Sequence, residues 1–103
     1  MKCYIWLVPA PTAPRDFKLT VESSTEIKAS WSAPLKLNGV FKRYVVRYGL
    51  SKDSMNTQVY PTTTGYLLTP LDESSTYYVQ VHAETAVSGS ASRILSAKTK
   101  EDG

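Results

Sequence analysis

From residue 17 onward, apolar and polar side chains alternate with a period of two. Phe17, Leu19 and Val21 alternate with Lys18, Thr20 and Glu22, and a polar turn, Ser23-Ser24-Thr25, follows. Ile27, Ala29 and Trp31 alternate with Lys28 and Ser30; Pro34 and Asn38-Gly39 then mark a longer loop. Tyr44, Val46 and Tyr48 alternate with Arg43, Val45 and Arg47, and Gly49 ends the segment. Residues 55–60 form a weak, polar strand, and Tyr66 and Leu68 belong to a strand stopped by Pro70. Tyr77, Val79, Val81 and Ala83 alternate with Tyr78, Gln80 and His82, and a small-residue loop, Ala86 to Ala91, leads to a last strand near residues 92–99. No stretch has a helical period with caps. Seven short strands with turn signals every roughly 8–15 residues predict an all-β fold, a seven-stranded antiparallel sandwich of two sheets. The inner faces of such a sandwich interdigitate. Here they are filled by Leu19, Ile27, Trp31, Tyr44, Val46, Tyr48, Leu68, Leu71, Tyr77, Val79 and Val81. In the last strand, either Ile94 or the pair Leu95 and Ala97 faces inward; the alternation does not decide.

Four motifs carry a family resemblance. A proline-rich lead-in, Pro11 and Pro14, precedes the first strand. Trp31-Ser32-Ala33-Pro34 places a tryptophan and then a proline in the second, and Tyr44-Val45-Val46-Arg47-Tyr48 gives Tyr-x-Val-x-Tyr in the third. Leu71 precedes Tyr77 by six residues, and alternating apolars then run to Ala83. In order and spacing, over about residues 9–100, these resemble a fibronectin type III domain. The resemblance implies an immunoglobulin-like sandwich, with Trp31, Tyr48, Leu71 and Tyr77 as its structural signature. It also implies that Tyr77 is a tyrosine corner, its hydroxyl bonded to backbone a few residues upstream. Three features depart from the family. Glu73-Ser74-Ser75 stands where Pro-Gly-Thr is common, so that turn is expected to be looser. The loop before the last strand carries no Arg-Gly-Asp, which removes that route to integrins. The Trp-Ser-x-Trp-Ser box of cytokine receptors is absent.

The length of 103 residues suits one domain with one core. The expected division is a non-domain segment at 1–8 (a tag, an alternative start or an arm), a proline-rich lead-in or linker at 9–14, the domain at 15–100 and a tail at 101–103. The apolar run from Cys3 to Val8 is shorter than the ~7–15 residues of a secretory signal core and lacks an A-x-A site. No apolar run approaches the ~18 residues of a membrane span, so direct membrane insertion is not expected. The single cysteine, Cys3, excludes a disulfide within the chain and a cysteine-based zinc site. A formal net charge of +3 is too mild to call for nucleic acid.

Nothing in the sequence assembles a nucleophile, base and orienting group, so no catalytic, cofactor or metal site is expected, and the chain is read as not an enzyme. His82 is the only histidine and is expected to point into solvent. Asn38 and Asn56 do not complete N-x-[ST], so no N-glycan is expected. The suggestive surface is basic. Lys36, Lys42, Arg43, Arg47 and Lys52 cluster in one strand and its bracketing loops, with Asp53 the only nearby acid. Arg43 and Arg47, taken as adjacent outward positions roughly 6–7 Å apart, would face out beside Tyr78, Gln80 and His82 of the sixth strand. The candidate interaction face is thus Lys42, Arg43, Arg47, Tyr78, Gln80 and His82. It suits a protein partner, or a polyanion such as a glycosaminoglycan or acidic lipid; the bland reading is a solvated sheet face. The resemblance implies one module in a tandem array, monomeric in isolation, within an extracellular receptor, adhesion or matrix protein. Its rivals are an intracellular module of a giant muscle-type protein and a spacer on a secreted carbohydrate-active enzyme.

Overall fold

Alternating sequences with β-branched and aromatic residues form strands because one face of a pleated surface can be buried while the other stays wet. A computed structural model describes residues 9–101, and the expectations for residues 1–8 and 102–103 lie outside it. The strands are β1 (Arg15–Val21), β2 (Ile27–Ser32), β3 (Arg43–Gly49), β4 (Thr57–Val59), β5 (Gly65–Leu68), β6 (Thr76–Glu84) and β7 (Leu95–Lys98). They make two antiparallel sheets, ordered β1-β2-β5 and β4-β3-β6-β7. A single 3-10 turn, Lys52–Ser54, is the one short helical feature among the described residues.

The core lies between the sheets. Ile27, Ala29 and Trp31 of β2 and Leu68 of β5 meet Tyr44 and Val46 of β3 and Tyr77, Val79, Val81 and Ala83 of β6. The expected inner face is present, with Leu19 and Tyr48 only partly buried at its margin. Phe17 and Met55 are buried as well, beyond the residues assigned from the pattern. Leu95 and Ala97, not Ile94, pack on the core from β7. Trp31 stands edge-on to Tyr44, ring centroids 5.2 Å apart at 70°, and Phe41 leans on the same tyrosine at 4.9 Å. Such offset aromatic pairs add to simple burial. The buried Trp31 indole N–H has no hydrogen-bond partner. Burial pushes the Tyr44 phenol pKa up, and the adjacent indole opposes that shift.

The crossover into β6 is pinned by Tyr77, whose hydroxyl accepts the backbone N–H of Asp72 at 2.9 Å. The turn expected to be loose is tied down. Ser74 N–H donates to the Lys100 carbonyl at 3.1 Å, and Ser75 N–H to Thr99 Oγ1 at 2.9 Å. Ser74 adopts φ 49°, a left-handed conformation that a glycine would take without strain. At the end of β3, a Cβ on Gly49 would run into the Ser54 carbonyl, so the return of the chain there requires glycine.

The proline-rich lead-in lies on the body of the sandwich. Pro11 and Pro14 are buried. Thr12 N–H donates to the Lys36 carbonyl at 2.9 Å, Asn38 Nδ2 to the Ala10 carbonyl at 2.8 Å, and Ser90 N–H to the Pro11 carbonyl at 3.0 Å.

Candidate functional site

The outer face of the four-stranded sheet is built by register. Pairing of β3 with β6 sets Arg43 opposite Glu84, Val45 opposite His82, Arg47 opposite Gln80 and Gly49 opposite Tyr78. Pairing with β4 sets Arg47 opposite Gln58. Because side chains alternate in a strand, all of these point away from the core. Arg43, Arg47, Tyr78, Gln80 and His82 therefore share one surface. Lys42 is exposed but precedes β3, and the alternation that turns Arg43 outward does not carry Lys42 to the same side.

Three features differ from the sequence expectation. First, Arg43 and Arg47 are not adjacent outward positions. Val45 stands between them, so they are about 13 Å apart along the strand, not 6–7 Å. Second, Arg43 is already engaged. Its Nε donates to Glu84 Oε1 at 2.9 Å, and its guanidinium lies 4.2 Å from the centre of the Tyr60 ring. Third, His82 is not solvated. Its side chain is only 17% exposed, with Nε2 3.8 Å from Glu84 Oε2. Burial drives its pKa below the ordinary 6.5; Glu84 opposes this, while Arg47 and Arg43 add to it. His82 is therefore neutral near pH 7, and the continuous basic row is interrupted.

Val45 explains part of this burial. It is 2% exposed although it points outward. Along β3 it is flanked on that face by Arg43 and Arg47, and His82 stands opposite it on β6. The alternation showed that Val45 faces out. It could not show that a valine on that face is buried. Gln80 is anchored from the side, its Nε2 donating to the Ser92 carbonyl at 3.0 Å, and Ser92 Oγ accepts the Val81 N–H at 3.0 Å. At the β4 edge, Tyr60 Oη donates to Gln58 Oε1 at 3.1 Å. Gln58 and Tyr60 belong to this face and were absent from the candidate residues. Their signal was the alternation of the weak fourth strand, too short and polar to show a face alone.

Among the described residues, no group of three or more His, Cys, Asp or Glu side chains is placed to hold a metal ion. No helix among them is long and apolar enough to cross a membrane. This face presents anchored hydrogen-bonding groups, aromatic side chains and an arginine on one side of the four-stranded sheet.

Comparison with known proteins sets this geometry in a family. The family model described as fibronectin type III domain matches residues 12–98. A curated relative, fibronectin type III domain-containing protein 1 of Margaritifera margaritifera, is 30% identical over 95 residues, covering 89% of this chain and 13% of that protein. The chain thus spans only a small part of the relative it matches. The sixth fibronectin type III domain of human fibronectin type III domain containing protein 3 superposes with a TM-score of 0.80 at 22% identity, over 92% of this chain and 91% of the other. Domains FN1–FN3 of chicken contactin 1 match with a TM-score of 0.75 at 26% identity, over 90% of this chain and 33% of theirs. The rat CD45 extracellular region and titin domains A168–A170 share the fold at TM-scores of 0.77 and 0.74. The two-sheet order, the Tyr77 corner bonded to Asp72, the buried Trp31 and the match over residues 12–98 lead to one conclusion: the chain belongs to the fibronectin type III family.

Proposed function

We propose that this chain is a non-catalytic interaction and spacing module of a larger modular protein at the cell surface or in the extracellular matrix, and that the outer face of β4-β3-β6-β7 is its partner surface. The observation that carries the reading is the composition of that face. Arginine and tyrosine, which recur at binding hot spots, stand there on a rigid sheet beside two glutamines, with Arg47 unmatched by any acid among the described residues. The likeness to contactin 1 and to the extracellular region of CD45 supports an extracellular setting. The likeness to titin domains supports a second reading, an intracellular spacer in a structural protein.

The two readings make different demands on the surface. An interaction module loses its partner when the face is altered; a spacer tolerates the change. The test is capture from cell-surface and matrix extracts by the immobilised chain, compared with Arg47→Ala and with Lys28→Ala on the outer face of the other sheet. Loss of a captured protein with the first change alone supports the interaction face. Equal capture by parent and Arg47→Ala contradicts it.

A further inference from the structure

Arg47 differs from every other cation near it. Its Nε is buried and has no hydrogen-bond acceptor among the described residues. The ion-pair contacts on the face run to Glu84 from Arg43 and His82, and none reaches Arg47. A guanidinium that has lost water from one edge without gaining an acceptor keeps an uncompensated charge. An acceptor brought to its open end would relieve that deficit, and a carboxylate matches the planar fork best.

The surroundings decide what delivers the carboxylate. A polyanion needs several free cations in a row. Here Arg43 is matched by Glu84 and capped by Tyr60, His82 is neutral near pH 7, and Lys42 precedes the strand. What remains is one unmatched arginine between two uncharged amides, Gln80 on one side and Gln58 on the other. The amides are held with opposite groups free. Gln80 commits its Nε2 to the Ser92 carbonyl, which leaves its Oε1 to accept a hydrogen bond. Gln58 commits its Oε1 to the Tyr60 hydroxyl, which leaves its Nε2 to donate. One acceptor and one donor flanking a cation match the N–H and C=O of a peptide backbone that carries an acidic side chain.

We infer that Arg47 receives an aspartate or glutamate side chain from an acidic peptide segment of a partner protein, with Gln80 Oε1 and Gln58 Nε2 engaging that segment's backbone. The inference rests on the reading of this face as a partner surface and names the chemistry of the partner.

The test follows the backbone amide and arginine Nε–Hε resonances of the nitrogen-15-labelled chain by NMR, the amides of residues 47, 58 and 80 giving the affinity in variants that lack the Arg47 side chain. The probes are a tetraglutamate peptide, a heparin oligosaccharide and sodium chloride at matched ionic strength. The expected result is that tetraglutamate moves the Arg47 resonance most. Arg47→Lys keeps the charge but loses the fork, and should weaken the peptide response by about tenfold or more. Lys28→Ala, on the outer face of the other sheet, should leave it unchanged. Gln80→Glu supplies an internal carboxylate opposite Arg47 and should abolish it; it also serves if Arg47→Lys fails to fold. Equal affinity of parent and Arg47→Lys overturns the inference. So does heparin moving Arg43 and Arg47 together while the peptide moves neither, which would assign the face to a polysaccharide. Peptide shifts confined to another surface overturn the Arg47 site and leave an interaction module with its contact elsewhere. Absence of any shift overturns the acidic-peptide site, and the capture experiment then decides separately whether the module binds a protein at all.

Discussion

Tyr77 buries its ring in the core and accepts the Asp72 N–H with its hydroxyl, so one residue both packs the sandwich and holds the crossover into β6. Tyr77→Phe removes the acceptor and keeps the ring. It should cost about 0.5–1.5 kcal/mol in urea unfolding, the usual worth of one such bond; equal stability of variant and parent would contradict the pinning role. Trp31→Ala empties a much larger volume in a close-packed core and should cost on the order of 3–5 kcal/mol. Ser74 reverses the sign. Held at φ 49° by bonds on both sides, it carries a left-handed strain that glycine lacks, so Ser74→Gly should stabilise by about 0.5–1 kcal/mol, read as a higher midpoint at unchanged m. The spacing of Leu71 and Tyr77 made the first of these residues legible in the sequence. The tied turn was not legible, because Ser74 and Ser75 are held by Lys100 and Thr99, which lie some 25 residues away in the chain.

At the scale of elements, the period-two alternation located the strands that bury one face and wet the other, while β4, with no buried residue, read only as a weak, polar strand. It failed where burial does not follow the two-sided rule. Val45 and His82, cross-strand partners on the outer face, are both withdrawn from water by their neighbours. The last strand was ambiguous because Ile94, Leu95 and Ala97 offer apolar residues to both sides; pairing with β6 sets Leu95 opposite Val79 and Ala97 opposite Tyr77, facing the core. The burial of His82 has a pH consequence. Its folded pKa lies below the ordinary 6.5, so the unfolded chain binds the proton more readily. Stability is therefore complete above about pH 6.5 and falls as pH drops below it toward the folded pKa. Melting temperature measured between about pH 5 and pH 7 should decline on the acid side, and His82→Gln should flatten that slope. An unchanged slope in the variant would mean that His82 titrates as a solvated side chain.

For the whole molecule, the seven strands, the two-sheet order and the central core follow from local alternation and two aromatic anchors, which is why they could be read without coordinates. The candidate face was legible in its members Arg43, Arg47, Tyr78, Gln80 and His82. Its charge balance was not, because Glu84 meets Arg43 only across a strand pairing of 41 residues' separation. The lead-in shows the same limit. Its prolines read as a lead-in or a linker; Pro11 is buried, and five hydrogen bonds join Ala10, Pro11 and Thr12 to Lys36, Asn38 and Ser90. A chain beginning at Arg15 should accordingly melt lower than one beginning at Pro9. The central claim is that residues 9–101 form a self-contained type III module that owes its fold to its own apolar core. Trp31 is the sole tryptophan in that span, so its fluorescence reports the core while far-ultraviolet circular dichroism reports the sheets. Thermal unfolding of residues 9–101 followed by both signals is the most direct test. A single transition is expected, coincident in the two signals and unmoved by chelator or reductant. Separate transitions, a helical spectrum, or unfolding on addition of a chelator would contradict the account.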